Sequence, residues 1–151
     1  MASAVIAVTL IVVVAAIALV LRRHIRPAPP TQPTQHGWAA PRQLDRGDFT
    51  RPDAAWLVVV FSSATCASCV DMMRKAGVLA SSSVAVQEVE AGAQSALHHR
   101  YAIEAVPITV VADHAGVVRA SFIGPASATD LWAAVAEARQ PGSSPEPGLG
   151  R

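Results

Sequence analysis

Charge is scarce in this chain. Asp, Glu, Lys and Arg make up 15% of its 151 residues, and the formal net charge is +1. Residues 37–140 carry eight basic and ten acidic side chains, a balance of −2, with no basic stripe and no interleaving of aromatic and basic residues. That pattern excludes a nucleic-acid-binding role. Cysteine is scarcer still, with only Cys66 and Cys69 present. The histidines are His24, His36, His98, His99 and His114, and no two of them have the spacing of a zinc-ligand pair. Zinc needs four ligands at suitable spacing, so no metal is expected. There is no internal repeat, and no charged side chain precedes Arg22.

What fills that uncharged start is apolar. From Ala2 to Leu21 the only polar side chains are Ser3 and Thr9. A helix rises about 1.5 Å per residue and the hydrocarbon core is about 30 Å thick, so this run just spans a membrane. A cleaved signal is the alternative, but it needs positive charge before the run and a small-residue site after it. Here Ala16-Ile17-Ala18 lies inside the run. Residues 1–21 therefore read as a single-pass transmembrane anchor. Arg22, Arg23 and Arg26 follow it directly. The preference of cationic flanks for the cytoplasmic side puts the main domain there. An extracytoplasmic domain stays open as the other orientation. Residues 22–36 form a basic, Pro-rich linker whose four prolines favour an extended spacer. Residues 141–151, rich in Pro, Gly and Ser, read as a disordered tail.

Residues 37–140 are the folded domain. Residues 56–63 form a continuous apolar run rich in β-branched side chains, the pattern of a strand buried on both faces. Residues 66–79 read as a helix with Val70, Met73 and Leu79 turned inward. A strand over 84–90 and a short helix over 93–101 follow. Strands over 108–112 and 117–123 pair as a hairpin through Gly116. A last helix over 130–139, capped by Ser127 or Thr129, puts Leu131, Val135 and Ala138 on one face. Strands separated by helices imply parallel neighbours and the hairpin adds antiparallel pairing, so the expected fold is α/β, a mixed central sheet with helices on both faces. Trp38, Trp56 and Trp132 read as packing anchors and Met72-Met73 as core. His98, His99 and Arg100 read as a solvated helix face, and Asp71 with Arg74 as an exposed pair.

Two cysteines separated by two residues can be a redox couple, half a metal site or incidental. Their place at a strand-to-helix junction favours the first. A helix starting near Cys66 aims its free N–H groups and positive dipole end at that sulfur, which favours thiolate. Cys69, three residues on, is within reach to attack a mixed disulfide formed at Cys66. Far along the chain, Tyr101-Ala-Ile-Glu-Ala-Val106-Pro107 sets a proline immediately before a strand.

Together these residues resemble the thioredoxin family over about residues 56–139. The likeness rests on the strand–CxxC–helix unit, the Tyr-x-Ile-x-x-Val-Pro segment, Gly116 and Gly124. The resemblance implies a thioredoxin-like fold. It also implies a nucleophile at Cys66, a resolving thiol at Cys69 and a cis proline at Pro107. The Val106 backbone would then pair with an extended substrate chain. It further implies no cofactor beyond the redox-active Cys66–Cys69 disulfide. Partners would be protein disulfides or dithiols, with an upstream electron donor. Three departures stand out: Thr65 in place of a Trp, Ala67-Ser68 in place of Gly-Pro, and Val60 in place of a buried Asp. The expected function is a membrane-tethered thiol–disulfide oxidoreductase. The alternative is a catalytically weak binding or adaptor module for a membrane partner.

Overall fold

A computed structural model describes Val14 and residues 37–143. The transmembrane anchor (Val14 apart), the linker at 22–36 and residues 144–151 of the expected tail lie outside the described residues. Among the described residues no helix is long and apolar enough to cross a membrane.

The elements run β1 (Trp56–Ser62), α1 (Ala67–Gly77), β2 (Val84–Glu90), α2 (Ser95–Arg100), β3 (Ile108–Asp113), β4 (Val118–Ile123) and α3 (Ala128–Arg139), after a short 3-10 turn at Arg46–Asp48. The strands form one mixed sheet in the order β2-β1-β3-β4. β1 runs parallel to β2, with Ser62 beside Glu90, and antiparallel to β3, with Phe61 beside Ile108. β3 and β4 are the expected hairpin.

The unbroken apolar run of β1 is explained by its central place, because both faces of the strand are covered. Val58 and Val60 share one core with Met72 and Ala76 of α1 and with Leu131, Ala134 and Val135 of α3. Leu57, Val59 and Phe61 share the other with Leu44, Phe49, Ile108 and Val110, against which Leu97 and Tyr101 also pack. Alternation along a strand sends neighbouring side chains to opposite faces, so one run of valines serves two cores. Gly116 closes the β3–β4 turn at φ +78°, and a Cβ there would lie 1.9 Å from the Leu44 carbonyl oxygen. Only glycine permits both that angle and that approach. Ser127 caps α3 by accepting the Asp130 backbone N–H at 3.0 Å.

Several side chains sit elsewhere than the sequence suggests. Val70 is 73% exposed, and the inward stripe of α1 is Cys69, Met72 and Ala76. The helix starts one residue later than expected, with Cys66 outside it as the N-cap. Once Cys69 faces in, the helical repeat turns Met72 and Ala76 in and Val70 out. His98 is 8% exposed rather than solvated; its Nε2 lies 2.9 Å from the Val89 carbonyl and its ring meets Phe61 edge-on. A short helix on a sheet must turn one row inward, and here that row includes His98. Trp56 packs against the core, whereas Trp38 and Trp132 are each 42% exposed, Trp132 donating from Nε1 to the Lys75 carbonyl at 3.1 Å. Met72 is fully buried and Met73 packs beside that core, as expected. The segment before β1 contributes buried Leu44 and Phe49 and bridges to the hairpin through Gln43 and Val117.

Candidate active site

The site forms where β1 ends and α1 begins. Residues 63–66 turn the chain back over the sheet, helped by the Cys66 N–H donating to the Ser63 carbonyl at 3.0 Å. The turn is tied to β2 as well. The Ala64 N–H donates to Glu90 Oε1 at 3.0 Å, and the Ala91 N–H to the Ser62 carbonyl at 2.9 Å. Backbone N–H groups of Gly92 and Ala93 outweigh burial and, with a lesser part from Ala64, hold the Glu90 carboxyl below the usual carboxylate range.

Cys66 and Cys69 are joined in a disulfide, with Cα atoms 5.3 Å apart. Cys66 Sγ accepts the Cys69 backbone N–H at 3.2 Å, and Ser68 Oγ lies 3.5 Å from the same sulfur. One of the free N–H groups expected at a helix start, that of Cys69, therefore does meet the first sulfur. Cys69 is 1% exposed, whereas Cys66 is only partly covered. Of the two residues Cys66 is the more open and Cys69 is sealed.

Pro107 is buried, follows Val106 through a cis peptide bond, and accepts the Gly124 N–H at 2.8 Å on its carbonyl. Continuing the register past Phe61 and Ile108 sets Pro107 beside Ser62, at the end of the sheet from which the cysteine loop leaves. Val106 is partly exposed. The sheet thus gathers Cys66, Cys69, Val106 and Pro107 at one end, although about forty residues separate the two segments.

Three polar features on the elements that carry the site escape a reading of the sequence. The Ser62 hydroxyl, fully buried, is bonded to Glu88 Oε1 at 2.6 Å. Lys75 is buried, its Nζ bonded to Asp71 Oδ2 at 2.6 Å and to the Ala126 carbonyl at 2.7 Å. Asp71 therefore has two cationic partners, Lys75 and Arg74. The Lys75 hydrogen bond, then that of Arg74, outweighs burial and holds its carboxyl below the usual range. The third feature is Thr109, buried on β3 with no hydrogen-bond partner for its hydroxyl. The only sequence-level signal for these is polarity inside otherwise apolar stripes. Among the described residues no group of three or more His, Cys, Asp or Glu gathers to hold a metal ion.

No family model and no curated protein matches the chain. Solved structures do. The germline-specific thioredoxin Deadhead from Drosophila melanogaster superposes with a TM-score of 0.52 at 24% identity, over 66% of this chain and 98% of that one. Oxidised mitochondrial thioredoxin 3 from Saccharomyces cerevisiae gives 0.49 at 20% identity, over 57% and 81%. The chain has a thioredoxin-like fold with a CxxC-spaced cysteine pair at the start of α1.

Proposed function

We propose that this chain is a thiol–disulfide oxidoreductase that exchanges disulfides with protein partners. The observation that carries the reading is the asymmetry of the pair: Cys66 is partly open and caps a helix with its sulfur, while Cys69 is sealed one turn below. In the reduced protein Cys66 thiolate, held by the Cys69 N–H, attacks a partner disulfide and forms a mixed disulfide. Cys69 then attacks Cys66 Sγ. The mixed S–S bond breaks, its electron pair leaves on the partner's sulfur, and the Cys66–Cys69 disulfide forms. The partner gains two electrons that the cysteine pair loses. An upstream dithiol donor must return them. Val106 and Pro107, at the same sheet end, would receive the extended partner chain, with the Val106 backbone pairing to it.

Residues 2–21 would hold this domain at a membrane, on the cytoplasmic side by the flanking arginines. An impermeant maleimide added to intact cells reads the orientation, since only an outward-facing reduced Cys66 reacts. Reduction of insulin by the full chain in detergent, with Cys66→Ser as control, tests the activity; equal rates for the two chains would sink it. The adaptor reading rests on Val60 and Thr65, neither of which supplies a proton acceptor or an aromatic surface. Partner capture by a chain lacking both cysteines, together with no insulin reduction, would replace the enzyme by the adaptor.

A further inference from the structure

α1 and α3 lie side by side on one face of the sheet. Inward they share a core, Met72 and Ala76 of α1 with Leu131, Ala134 and Val135 of α3. Outward, α1 exposes Ala67, Val70, Arg74 and Val78. These recur three or four residues apart and so form one stripe, which starts beside Cys66. Val70 and Val78 are 73% and 69% exposed. α3 exposes Trp132, Ala136 and Arg139 at the same spacing. Trp132 Nε1 donates to the Lys75 carbonyl at 3.1 Å, which sets its indole beside the last turn of α1, next to Val78. The two stripes therefore make one surface. It carries three of the four exposed large apolar side chains of residues 37–143; the fourth, Trp38, sits two residues after the linker.

Charge divides the same way. This surface has Arg74 and Arg139, and the carboxylate beside it, Asp71, is bound by both Arg74 and Lys75. Together these four groups sum to +2, whereas the other charged residues of 37–140 sum to −4. On α3 the acids Asp130 and Glu137, seven apart, share the flank turned away from Trp132.

Valines and a tryptophan set among arginines suit the boundary between lipid headgroups and acyl chains. There an indole is half wet, and arginine stems lie along apolar surface with their charged ends in water. Anionic headgroups supply the countercharge. A membrane is also within reach. At about 3.1 Å per residue, residues 22–36 span up to about 46 Å, more than the roughly 35 Å width of a domain of this size. Tethering thus lets any face of the domain meet the surface, at a local concentration that allows a weak contact to fill.

We propose that the outward surface of α1 and α3, through Val70, Arg74, Val78, Trp132 and Arg139, lies on an anionic lipid surface. This deepens, and rests on, the reading of a membrane-tethered oxidoreductase. Cys66, at one end of the stripe, is then held close to the headgroups. The partners this selects are proteins whose disulfides lie near the membrane surface.

The test reconstitutes the full chain in vesicles of phosphatidylcholine, alone or mixed with phosphatidylglycerol, each doped with lipid brominated near the headgroup end of its acyl chains. Bromine quenches only an indole that enters this boundary, and Trp132→Phe isolates the share of Trp132. That share should be quenched in the mixed vesicles, hardly at all in the neutral ones, and released by high salt. Val78→Glu combined with Arg139→Glu, both exposed and away from the disulfide, should lower it about fivefold or more. The reaction of Cys66 with Ellman's reagent in detergent should stay unchanged, which shows that the variant folds. Trp132 unquenched in mixed vesicles, quenched equally in both, or indifferent to the double change overturns the proposal. A photo-crosslinker at position 78 that captures protein while Trp132 stays unquenched assigns the face to a protein partner, which overturns it too. Failure of the anchor shows separately, as release of the full chain from vesicles by alkaline carbonate. Failure of the oxidoreductase reading shows as no insulin reduction by the unmodified chain.

Discussion

The backbone N–H of Cys69 donates to Cys66 Sγ at 3.2 Å, so the sulfur of one cysteine caps the helix that carries the other. Ser68 Oγ lies 3.5 Å from the same sulfur. These two contacts differ in kind: the amide is part of the helix start, while the hydroxyl depends on one side chain. Ser68→Ala should remove about 1 kcal/mol of thiolate stabilisation. Alkylation of Cys66 near neutral pH should then slow about fivefold. The pH dependence of iodoacetamide reaction in a Cys69→Ser background measures this, and an unmoved midpoint would reject the hydroxyl's part.

Lys75 ties α1 to the chain between β4 and α3, through its bonds to Asp71 and to the Ala126 carbonyl. Lys75→Met keeps the buried stem and deletes both bonds. Leaving the buried carbonyl without that partner should lower stability by about 1–3 kcal/mol. The Asp71 carboxyl should move back up toward its ordinary range. Urea unfolding at pH 7 and an NMR titration of Asp71 read the two effects.

Gly116 and Gly124 both have positive φ, +78° and +87°, but only Gly116 is crowded. Alanine at 124 meets nothing within 4 Å and should destabilise by about 1–2 kcal/mol, the strain of the left-handed region alone. Alanine at 116 adds a clash with the Leu44 carbonyl and should destabilise by about 3 kcal/mol or more. Thermal unfolding of the two variants compares them directly. Equal losses would show that the turn relaxes away from Leu44.

Stability should fall at high pH as Tyr101 ionises. Burial, and then its hydrogen bond to Asp48, push the Tyr101 phenol up from 10.0 to about 12. A group whose folded pKa is raised contributes stability that is whole below its unfolded pKa. Here that contribution drains away between about pH 10 and pH 12. Tyr101→Phe should flatten this part of the profile in denaturant titrations, whereas an unchanged slope would assign the alkaline loss to other groups. On the acid side the sign reverses for Asp113. Burial raises its pKa, but the Arg119 hydrogen bond and the N–H groups of Val117 and Ala115 lower it further, so the net shift is down. Its contribution is present above the unfolded carboxylate range and is lost as pH falls through the folded value.

The strands were legible because β1 and β3 announce themselves by runs of β-branched residues, β2 by near-alternation and β4 by its place after the Gly116 turn, which local backbone geometry translates directly. The helix and turn punctuation at Ser127 and Gly116 was legible for the same reason. Less so were helix faces. Val70 and Cys69 are adjacent in sequence and similar in polarity, and only the docking of α1 on the sheet decides which of them turns inward. His98 and His99 pose the same problem, since which one faces the sheet depends on the angle at which α2 docks.

By itself the sequence determined an α/β domain, the paired cysteines at a strand-to-helix junction and the proline before β3, because each is a local pattern written in adjacent residues. Tertiary structure alone decided the rest of the site. It sealed Cys69 and left Cys66 partly open, brought Ser62 to Glu88 across 26 positions, and set Pro107 beside the end of β1. Those relations come from the register between strands and the docking of helices on the sheet. Both depend on how all the apolar faces are buried together, a sum over the whole chain that no single stretch of it contains.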